Sequence, residues 1–201
     1  MLESRSAIAA HLAAGGHDGA DGARRLRLGE ASGWHLIQLG HFNGTGPALR
    51  AATRGVLGCD LPDSTRDAAS HGDERLLRVA SDQYWVVTAD AGRAAALAAA
   101  VPADAGTVTP LSASRTRILV VGPDARAMLM KLVPIDLYPE AFPVGRFAQT
   151  GIHHVGGLLY RAAEERYEYF ALRTYGATMW EAIADAALPF GYDTFVEGGP
   201  A

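Results

Sequence analysis

The chain has 201 residues, of which 49% are hydrophobic, enough for the core of one large domain or of two small halves. Its formal net charge is −4, whereas nucleic-acid-binding proteins are typically basic, so we expect no nucleic-acid partner. Cys59 is the single cysteine, which excludes a disulfide framework and a cysteine-based zinc site and suits a reducing cytoplasm. No run approaches about 20 apolar residues, so we expect a cytoplasmic protein with no membrane partner.

Residues 1–23 are predicted to form an N-terminal helix followed by a linker. Ser4 or Ser6 suits the N-cap of this helix, and Gly15-Gly16 suits its end. The linker is rich in glycine and aspartate, which favours an irregular conformation.

Two strands, over 24–28 and 34–41, flank the sequence EASG, which predicts a hairpin between them. A helix is then predicted over 46–57. Pro47 suits its first turn, and Gly58 suits the left-handed position after its last turn.

One order of elements occurs twice, offset by roughly 80 residues. The predicted elements are strand 34–41, helix 46–57, strand 75–80, strand 84–88 and helix 91–101, then strand 115–121, helix 123–132, strand 153–160, strand 167–173 and helix 176–188. Each set is a β-α-β-β-α unit of the split βαβ, ferredoxin-like kind. The sequence therefore predicts an α+β fold of two related halves sharing a core, over 24–111 and 112–192, with a flexible tail at 193–201.

A glycine turn, Gly122-Pro123-Asp124, lies between a predicted strand and a predicted helix. It lacks the further glycines of a dinucleotide fingerprint and the lysine spacing of a P-loop. Proline removes one N–H group that a phosphate would need, and the aspartate carboxylate would repel an anion. We interpret this turn as a packing joint.

No catalytic, cofactor-binding or metal-ligating residue is assigned from the sequence. His153 and His154 are the only adjacent histidines, and neighbours on a strand point to opposite faces, so they are not expected to chelate a metal together. Cys59 follows a helix end rather than preceding a helix, so we expect an inert thiol. Glu164 and Glu165 fall in a predicted turn, where a solvated charge is the simplest reading.

The loop after the helix predicted over 123–132 is unusually apolar. Its large side chains show no helical or strand period, and they are Ile135, Leu137, Tyr138, Phe142 and Phe147. Such residues either fold back onto the core or meet a partner. Both interpretations stay open, and these five residues are our candidates for a partner interface.

Several ordered motifs resemble one family. They are SDQYWVVTA at 81–89, SASRTRILVVGPDARAMLMKLVPIDL at 112–137, FPVGRFAQTGIHH at 142–154 and YFALRTYGATMWEAIADAALPFG at 169–191. Together they resemble the gamma subunit of bacterial heterotetrameric sarcosine oxidase, over roughly residues 25–192. That family is similar in turn to the folate-binding aminomethyltransferase domain of the glycine-cleavage T-protein, in agreement with the duplicated pattern.

The resemblance implies a companion subunit in an alpha-beta-gamma-delta heterotetramer. Such a complex demethylates sarcosine oxidatively to glycine, passes the one-carbon unit to tetrahydrofolate and forms hydrogen peroxide. FAD, FMN, NAD and zinc are expected in the partner subunits, and none in this chain. The isolated chain is expected to be inactive, and its role would be to bury surface on the larger subunits.

Two alternatives stay open. The chain could be a free-standing folate-binding or aminomethyltransferase-like protein, using a pocket of the T-protein type. It could also be the equivalent subunit of a complex that acts on another N-methyl amino acid.

Overall fold

The computed structural model describes residues 6–198, which form two compact units. The continuous unit is Gly33–Ser112, and the discontinuous unit combines the residues up to Ser32 with those from Ala113 onwards. In chain order the helices and strands are α1 (Ala9–Ala13), β1 (Leu26–Ala31), β2 (His35–His41), α2 (Gly46–Leu57), β3 (Ala69–His71), β4 (Glu74–Arg78), β5 (Gln83–Thr88), α3 (Arg93–Ala100), β6 (Gly106–Pro110), β7 (Arg115–Val121), α4 (Ala125–Leu129), β8 (Phe147–Ile152), β9 (Val155–Ala163), β10 (Arg166–Leu172), α5 (Gly176–Ala187) and β11 (Tyr192–Glu197).

The continuous unit has a five-stranded antiparallel sheet in the order β3-β4-β5-β2-β6. Helix α2 begins with Gly46-Pro47 and buries Leu49, Thr53 and Leu57, which are spaced one turn apart on one face. Gly58 ends the helix with φ of 69°, a left-handed conformation that glycine adopts without steric cost. The helix predicted over 46–57 is therefore confirmed.

The discontinuous unit has a six-stranded sheet in the order β11-β1-β7-β10-β9-β8. Every neighbouring pair is antiparallel except β1 and β11, which run parallel. Helix α5 covers one face of this sheet with Met179, Trp180 and Ile183, which are all buried. The predicted α+β class with two related split βαβ arrangements is confirmed.

Each unit has its own cluster of buried hydrophobic residues, where the sequence had predicted one shared core. In the continuous unit the cluster combines side chains of β2, β4 and β5 with those of α2 and α3. In the discontinuous unit it combines β1, β7, β9 and β10 with α4, α5 and the loop after α4. The clusters are separate because the helices of each unit cover their own sheet.

The hairpin predicted across EASG is wrong. Strand β1 pairs with β7 and β11, whereas β2 pairs with β5 and β6. Leu26 and Leu28 of β1 are buried in the core of the discontinuous unit, against residues that lie far away in the sequence. These long-range contacts override the local turn signal of EASG. For this reason the first unit begins at Gly33 rather than at 24.

The chain ends also differ from the sequence-based expectation. Residues 192–197, most of which were expected to lie in a flexible tail, form strand β11, because the peptide groups of β1 offer them partners. The N-terminal helix is α1, whose N-cap residue is Ile8, so Ser6 does not cap it. The Ser6 hydroxyl instead accepts a hydrogen bond from the N–H of Ile8 at 3.0 Å, just before the helix. The alternative cap, Ser4, and the last three residues of the predicted tail lie outside the described residues. Within residues 6–198, no helix combines the length and the apolar character needed to cross a bilayer.

Candidate functional site

The turn Gly122-Pro123-Asp124 joins β7 to α4 and packs closely against the residue before β1. Gly122 has φ of 133°, and a side chain there would meet the backbone carbonyl oxygen of Arg25. Asp124 Oδ2 lies 3.8 Å from Arg25 Nε. The turn is thus a joint between packed elements, which is the role that the sequence indicated.

The adjacent histidines do not lie on a strand, contrary to the sequence-based reading. His153 and His154 occupy the exposed turn between β8 and β9, and His153 has φ of 45°. The reason is that the strand begins only at Val155. Among residues 6–198, no three histidine, cysteine or acidic side chains are grouped as a metal ion would require.

The only thiol of the chain is held in its protonated form. Burial raises the pKa of Cys59, and the carboxylates of Glu74 and Asp60 raise it further. Because the thiolate is the nucleophilic form, a raised pKa lowers the reactivity of the thiol. This agrees with the inert thiol expected from the sequence.

The five candidate interface residues have different environments. Leu137, Phe142 and Phe147 are at most 3% exposed. A side chain that is buried within its own chain cannot also cover a partner, so the prediction of direct partner contact is wrong for these three. Ile135 is half-buried against the core, and Tyr138 is 53% exposed. For Ile135 and Tyr138, partner contact stays a prediction.

Hydrogen bonds, together with the buried side chains, hold the loop around Tyr138 in one conformation. The N–H groups of Ala141 and Phe142 donate to the carbonyl oxygen of Tyr138 at 3.0 and 2.8 Å. The N–H group of Tyr138 donates to Asp136 Oδ1 at 2.9 Å. Arg161 donates from its guanidinium to the carbonyl oxygen of Phe142 at 2.8 Å. The loop is therefore ordered although it has no regular secondary structure.

One exposed surface results from this arrangement, and we call Arg126, Met130 and Tyr138 together the Tyr138 surface. Arg126 Cζ lies 5.2 Å from the centroid of the Tyr138 ring, a cation–π contact. Met130 follows Arg126 by one helical turn, and its N–H group donates to the Arg126 carbonyl oxygen at 2.9 Å. Met130 is 41% exposed, so the surface combines a thioether, an aromatic ring and a guanidinium.

A buried polar group of the continuous unit was not found from the sequence. Glu74 Oε1 accepts hydrogen bonds from Thr88 Oγ1 at 2.8 Å and from Arg93 Nε at 2.6 Å. Arg93 also donates to the carbonyl oxygen of Val56 at 2.7 Å, which satisfies the end of α2. An open cavity of about 480 Å³ lies beside this group, and Asp90 contributes to its wall. Glu74 and Arg93 are 19 residues apart and reveal no common motif in the sequence.

A second buried ion-pair network lies in the discontinuous unit. Arg117 Nη2 is 2.8 Å from Glu168 Oε2, and Arg166 Nε is 3.4 Å from Glu168 Oε1. Arg166 also binds both carboxylate oxygens of Glu197, at 2.7 and 2.6 Å. The signal in the sequence is a charged residue inside each of two apolar strands, RTRILVV and RYEYFAL, which predicts a buried pair when the strands are neighbours.

Glu30 is a buried carboxyl group on β1. Burial raises its pKa, and this effect is opposed first by the hydrogen bond from the Ser6 hydroxyl and then by the charge of Arg173. A raised carboxyl pKa is also found in general acids, but Glu30 forms no motif with other acidic residues in the sequence. Its contacts identify it as a packed polar group at the N-terminal segment.

The comparison with protein families gives one match over much of the chain. Residues 66–196 match the family described as GCVT N-terminal domain. This range spans parts of both units; in the discontinuous unit it includes β7 to β10 and all but the last residue of β11.

Curated relatives agree in name. The sarcosine oxidase subunit gamma of Corynebacterium sp. (strain U-96) is 30% identical over 174 residues, which cover 83% of both chains. The sarcosine oxidase subunit gamma of Arthrobacter sp. is 32% identical over 124 residues, so the match spans 61% of this chain and 61% of that relative.

Solved structures show the same fold. A chain of the heterotetrameric sarcosine oxidase from Corynebacterium sp. U-96 matches with a TM-score of 0.83 at 24% identity, over 93% of this chain and 96% of that one. The glycine cleavage system aminomethyltransferase T from Bartonella henselae matches with a TM-score of 0.58 at 16% identity, over 87% of this chain and 48% of that one. Sequence and fold together place the chain in the GCVT N-terminal domain family and, within it, among the sarcosine oxidase gamma subunits.

Proposed function

We propose that the chain is the non-catalytic assembly subunit of a sarcosine oxidase-type complex. The observation that carries this proposal is 30% identity to a sarcosine oxidase gamma subunit over 83% of both chains. The TM-score of 0.83 to a chain of a heterotetrameric sarcosine oxidase supports it. The complex demethylates sarcosine oxidatively to glycine, transfers the one-carbon unit to tetrahydrofolate and releases hydrogen peroxide.

On this proposal the chain works in the cytoplasm beside alpha, beta and delta subunits. Those partners hold FAD, FMN, NAD and zinc, and this chain binds none of them. Its physical contribution is to bury surface on the larger subunits, and permanent interfaces of this kind commonly bury about 2,000 Å² or more. The chain would thereby hold the redox subunits in fixed positions relative to one another.

Co-expression tests this proposal. A tag is placed on this chain, which is produced together with the alpha, beta and delta subunits of a sarcosine oxidase from the same organism. We expect the tag to recover a yellow, flavin-containing complex that forms hydrogen peroxide with sarcosine. The matched control carries the same tag on a co-expressed protein of another family. Recovery of this chain alone, without flavin-coloured partners, would contradict the proposal.

The same preparation tests the alternative that the complex acts on another N-methyl amino acid rather than on sarcosine. If the complex assembles but oxidises another N-methyl amino acid faster than sarcosine, the assembly role holds and the substrate is corrected. Specificity is measured as kcat/KM for each amino acid, because that ratio reports differential transition-state binding.

A free-standing folate-binding protein is a second candidate function, favoured by the match to the GCVT N-terminal domain. It predicts that the isolated chain binds tetrahydrofolate in calorimetry and gains thermal stability from it. Absence of both heat and a thermal shift would remove this candidate.

A further inference from the structure

We propose that the Tyr138 surface is the docking site for an acidic segment of a larger oxidase subunit, an inference that rests on the proposed assembly function. The segment would carry a carboxylate that meets Arg126 and apolar side chains that cover Tyr138 and Met130. The first argument comes from composition. Tyrosine, methionine and arginine are enriched at the centres of protein interfaces, and this surface consists of one of each.

Exposure supports the same conclusion. Tyr138 is 53% exposed and Met130 is 41% exposed, although the neighbouring apolar residues Leu129 and Leu137 are completely buried. The loop thus has enough apolar side chains to anchor itself without Tyr138. Each of these two exposed side chains leaves apolar area in contact with water, and a partner would cover that area.

The charge of Arg126 specifies the chemistry of the partner. Its guanidinium lies on the Tyr138 ring and forms no hydrogen bond or ion pair with any residue in the range 6–198. By contrast, Arg25, which lies beside the same α4 segment, is paired with Asp21 and with Asp124. A guanidinium on an aromatic face keeps its edge N–H groups available, and these match the two oxygens of a carboxylate.

The charge beneath the surface has the same sign. Arg161 is 4% exposed and donates to the backbone carbonyl oxygens of Phe142 and Glu164, with no carboxylate partner in the described part of the chain. Two acidic residues, Asp136 and Glu140, each lie two positions from Tyr138 in the sequence; Asp136 accepts the N–H group of Tyr138, Glu140 is exposed, and neither forms an ion pair with Arg126 within the described part of the chain. A carboxylate from outside the chain would therefore complete this surface.

The loop is also pre-organised for binding. Its hydrogen bonds and its buried Leu137 and Phe142 already fix the backbone on either side of Tyr138. Docking would consequently order few additional side chains. A pre-ordered loop loses less conformational entropy on association than a flexible one, and this favours a tight contact.

The test compares assembly of four variants with that of the full-length wild-type chain in the co-expressed complex. Tyr138→Ala and Arg126→Glu alter the surface. Their matched controls are Tyr175→Ala, at a tyrosine that is 45% exposed near the start of α5, and Arg66→Glu, at an exposed arginine of the continuous unit. We expect each surface variant to weaken recovery of the larger subunits about 10-fold or more and each control to change it less than about 2-fold. Salt should weaken association of the wild type and have little further effect on Arg126→Glu.

The outcomes separate this inference from the proposed function. If the wild type and all four variants assemble equally, the inference is overturned while the assembly function holds. If the controls lose assembly as strongly as the surface variants, the docking site lies elsewhere and the inference is also overturned. If the wild type recovers no partner, the proposed function itself fails. The melting temperature of each variant is measured alone, so that loss of assembly at unchanged stability supports docking.

Discussion

In the continuous unit β6 pairs directly with β2, whereas in the discontinuous unit β1 lies between β7 and β11. The remaining strands correspond one to one, because β3-β4-β5-β2 and β8-β9-β10-β7 have the same order. Strand β1 runs antiparallel to β7 and parallel to β11, so β11 keeps the direction of β6 one position further out. A split βαβ arrangement therefore accepts an extra strand without reversing any other.

The helical layer differs as well. In the continuous unit the 12-residue helix α2 covers the sheet, whereas the corresponding helix α4 has five residues. The loop after α4 makes up for the missing turns, since Val133, Leu137 and Phe142 join the core there. The comparison shows that an apolar loop can supply core residues in place of a helix. The same loop can still expose one aromatic residue, Tyr138, to solvent.

The largest expected effect tests whether that loop replaces a helix. Phe142→Ala should lower the free energy of unfolding by about 3–5 kcal/mol, because it removes a buried ring and leaves a cavity. Denaturant unfolding gives the total, and hydrogen exchange with mass spectrometry locates the loss in the discontinuous unit. Val144→Ala in the same loop is the control, since Val144 is 55% exposed and should cost less than about 0.5 kcal/mol. Equal losses for the two variants would refute the comparison.

The second effect contrasts the two buried ion pairs. Arg117→Met should cost about 3 kcal/mol, because Glu168, which is 0% exposed, would keep only the more distant Arg166. Arg93→Met in the continuous unit should cost less, since the Arg93 side chain is 23% exposed and water can replace it. Both are measured by urea unfolding. Adding Glu168→Gln to Arg117→Met should recover part of the loss, and a further loss would contradict this account.

The third effect concerns the two kinds of glycine turn. Gly122→Ala should cost about 1–3 kcal/mol, because φ of 133° is strained for alanine and its methyl group would meet the Arg25 carbonyl. Gly44→Ala is the control in the continuous unit. It has φ of 81° with open space around it, so only the cost of a left-handed backbone for alanine, about 1 kcal/mol, applies. If Gly122→Ala lowers the melting temperature no more than Gly44→Ala does, close packing of Gly122 against Arg25 is ruled out as a source of stability.

The smallest effect is a pH dependence that should arise from Glu30 in the discontinuous unit. Burial holds the pKa of Glu30 above its ordinary value of 4.5, so the folded chain binds this proton more tightly than the unfolded chain. The resulting stability is complete below pH 4.5 and is lost as pH rises through the raised folded-state pKa. Glu30→Gln should remove this loss. Melting temperatures between about pH 4 and 7 measure it, with the exposed Glu140→Gln as control; an unchanged slope in Glu30→Gln would exclude Glu30 as its source.

Most elements of the fold could be predicted because their signals are local. The cap residues and spacing of α2 predicted its bounds, and the continuous apolar runs of β5 and β7 predicted theirs to within one residue. The missed strands β8 and β11 lie in segments rich in glycine or proline and form only because distant strands offer hydrogen-bond partners. The wrong hairpin at β1 has the same cause, since pairing over a long sequence separation leaves no mark in a short turn such as EASG.

The candidate site was predictable in outline and not in detail. The apolar composition of the loop identified Tyr138 together with four other residues, and only the three-dimensional structure separates the exposed ring from its buried anchors. Arg126 was missed because a single arginine in a short helix is ordinary in a sequence. Its contact with Tyr138 depends on the path of the chain between them, and no periodic pattern reports that path.

The pairing of β1 with β11 also has a consequence for synthesis on the ribosome. The continuous unit is encoded in one uninterrupted stretch, so it can close its sheet while translation is still in progress. The discontinuous unit must wait for β11, because β11 is translated only after the whole continuous unit and the other strands of its own sheet. Until then the backbone groups along one edge of β1 have no strand partner, and we expect nascent chains stalled before Tyr192 to be bound by chaperones more strongly than released ones.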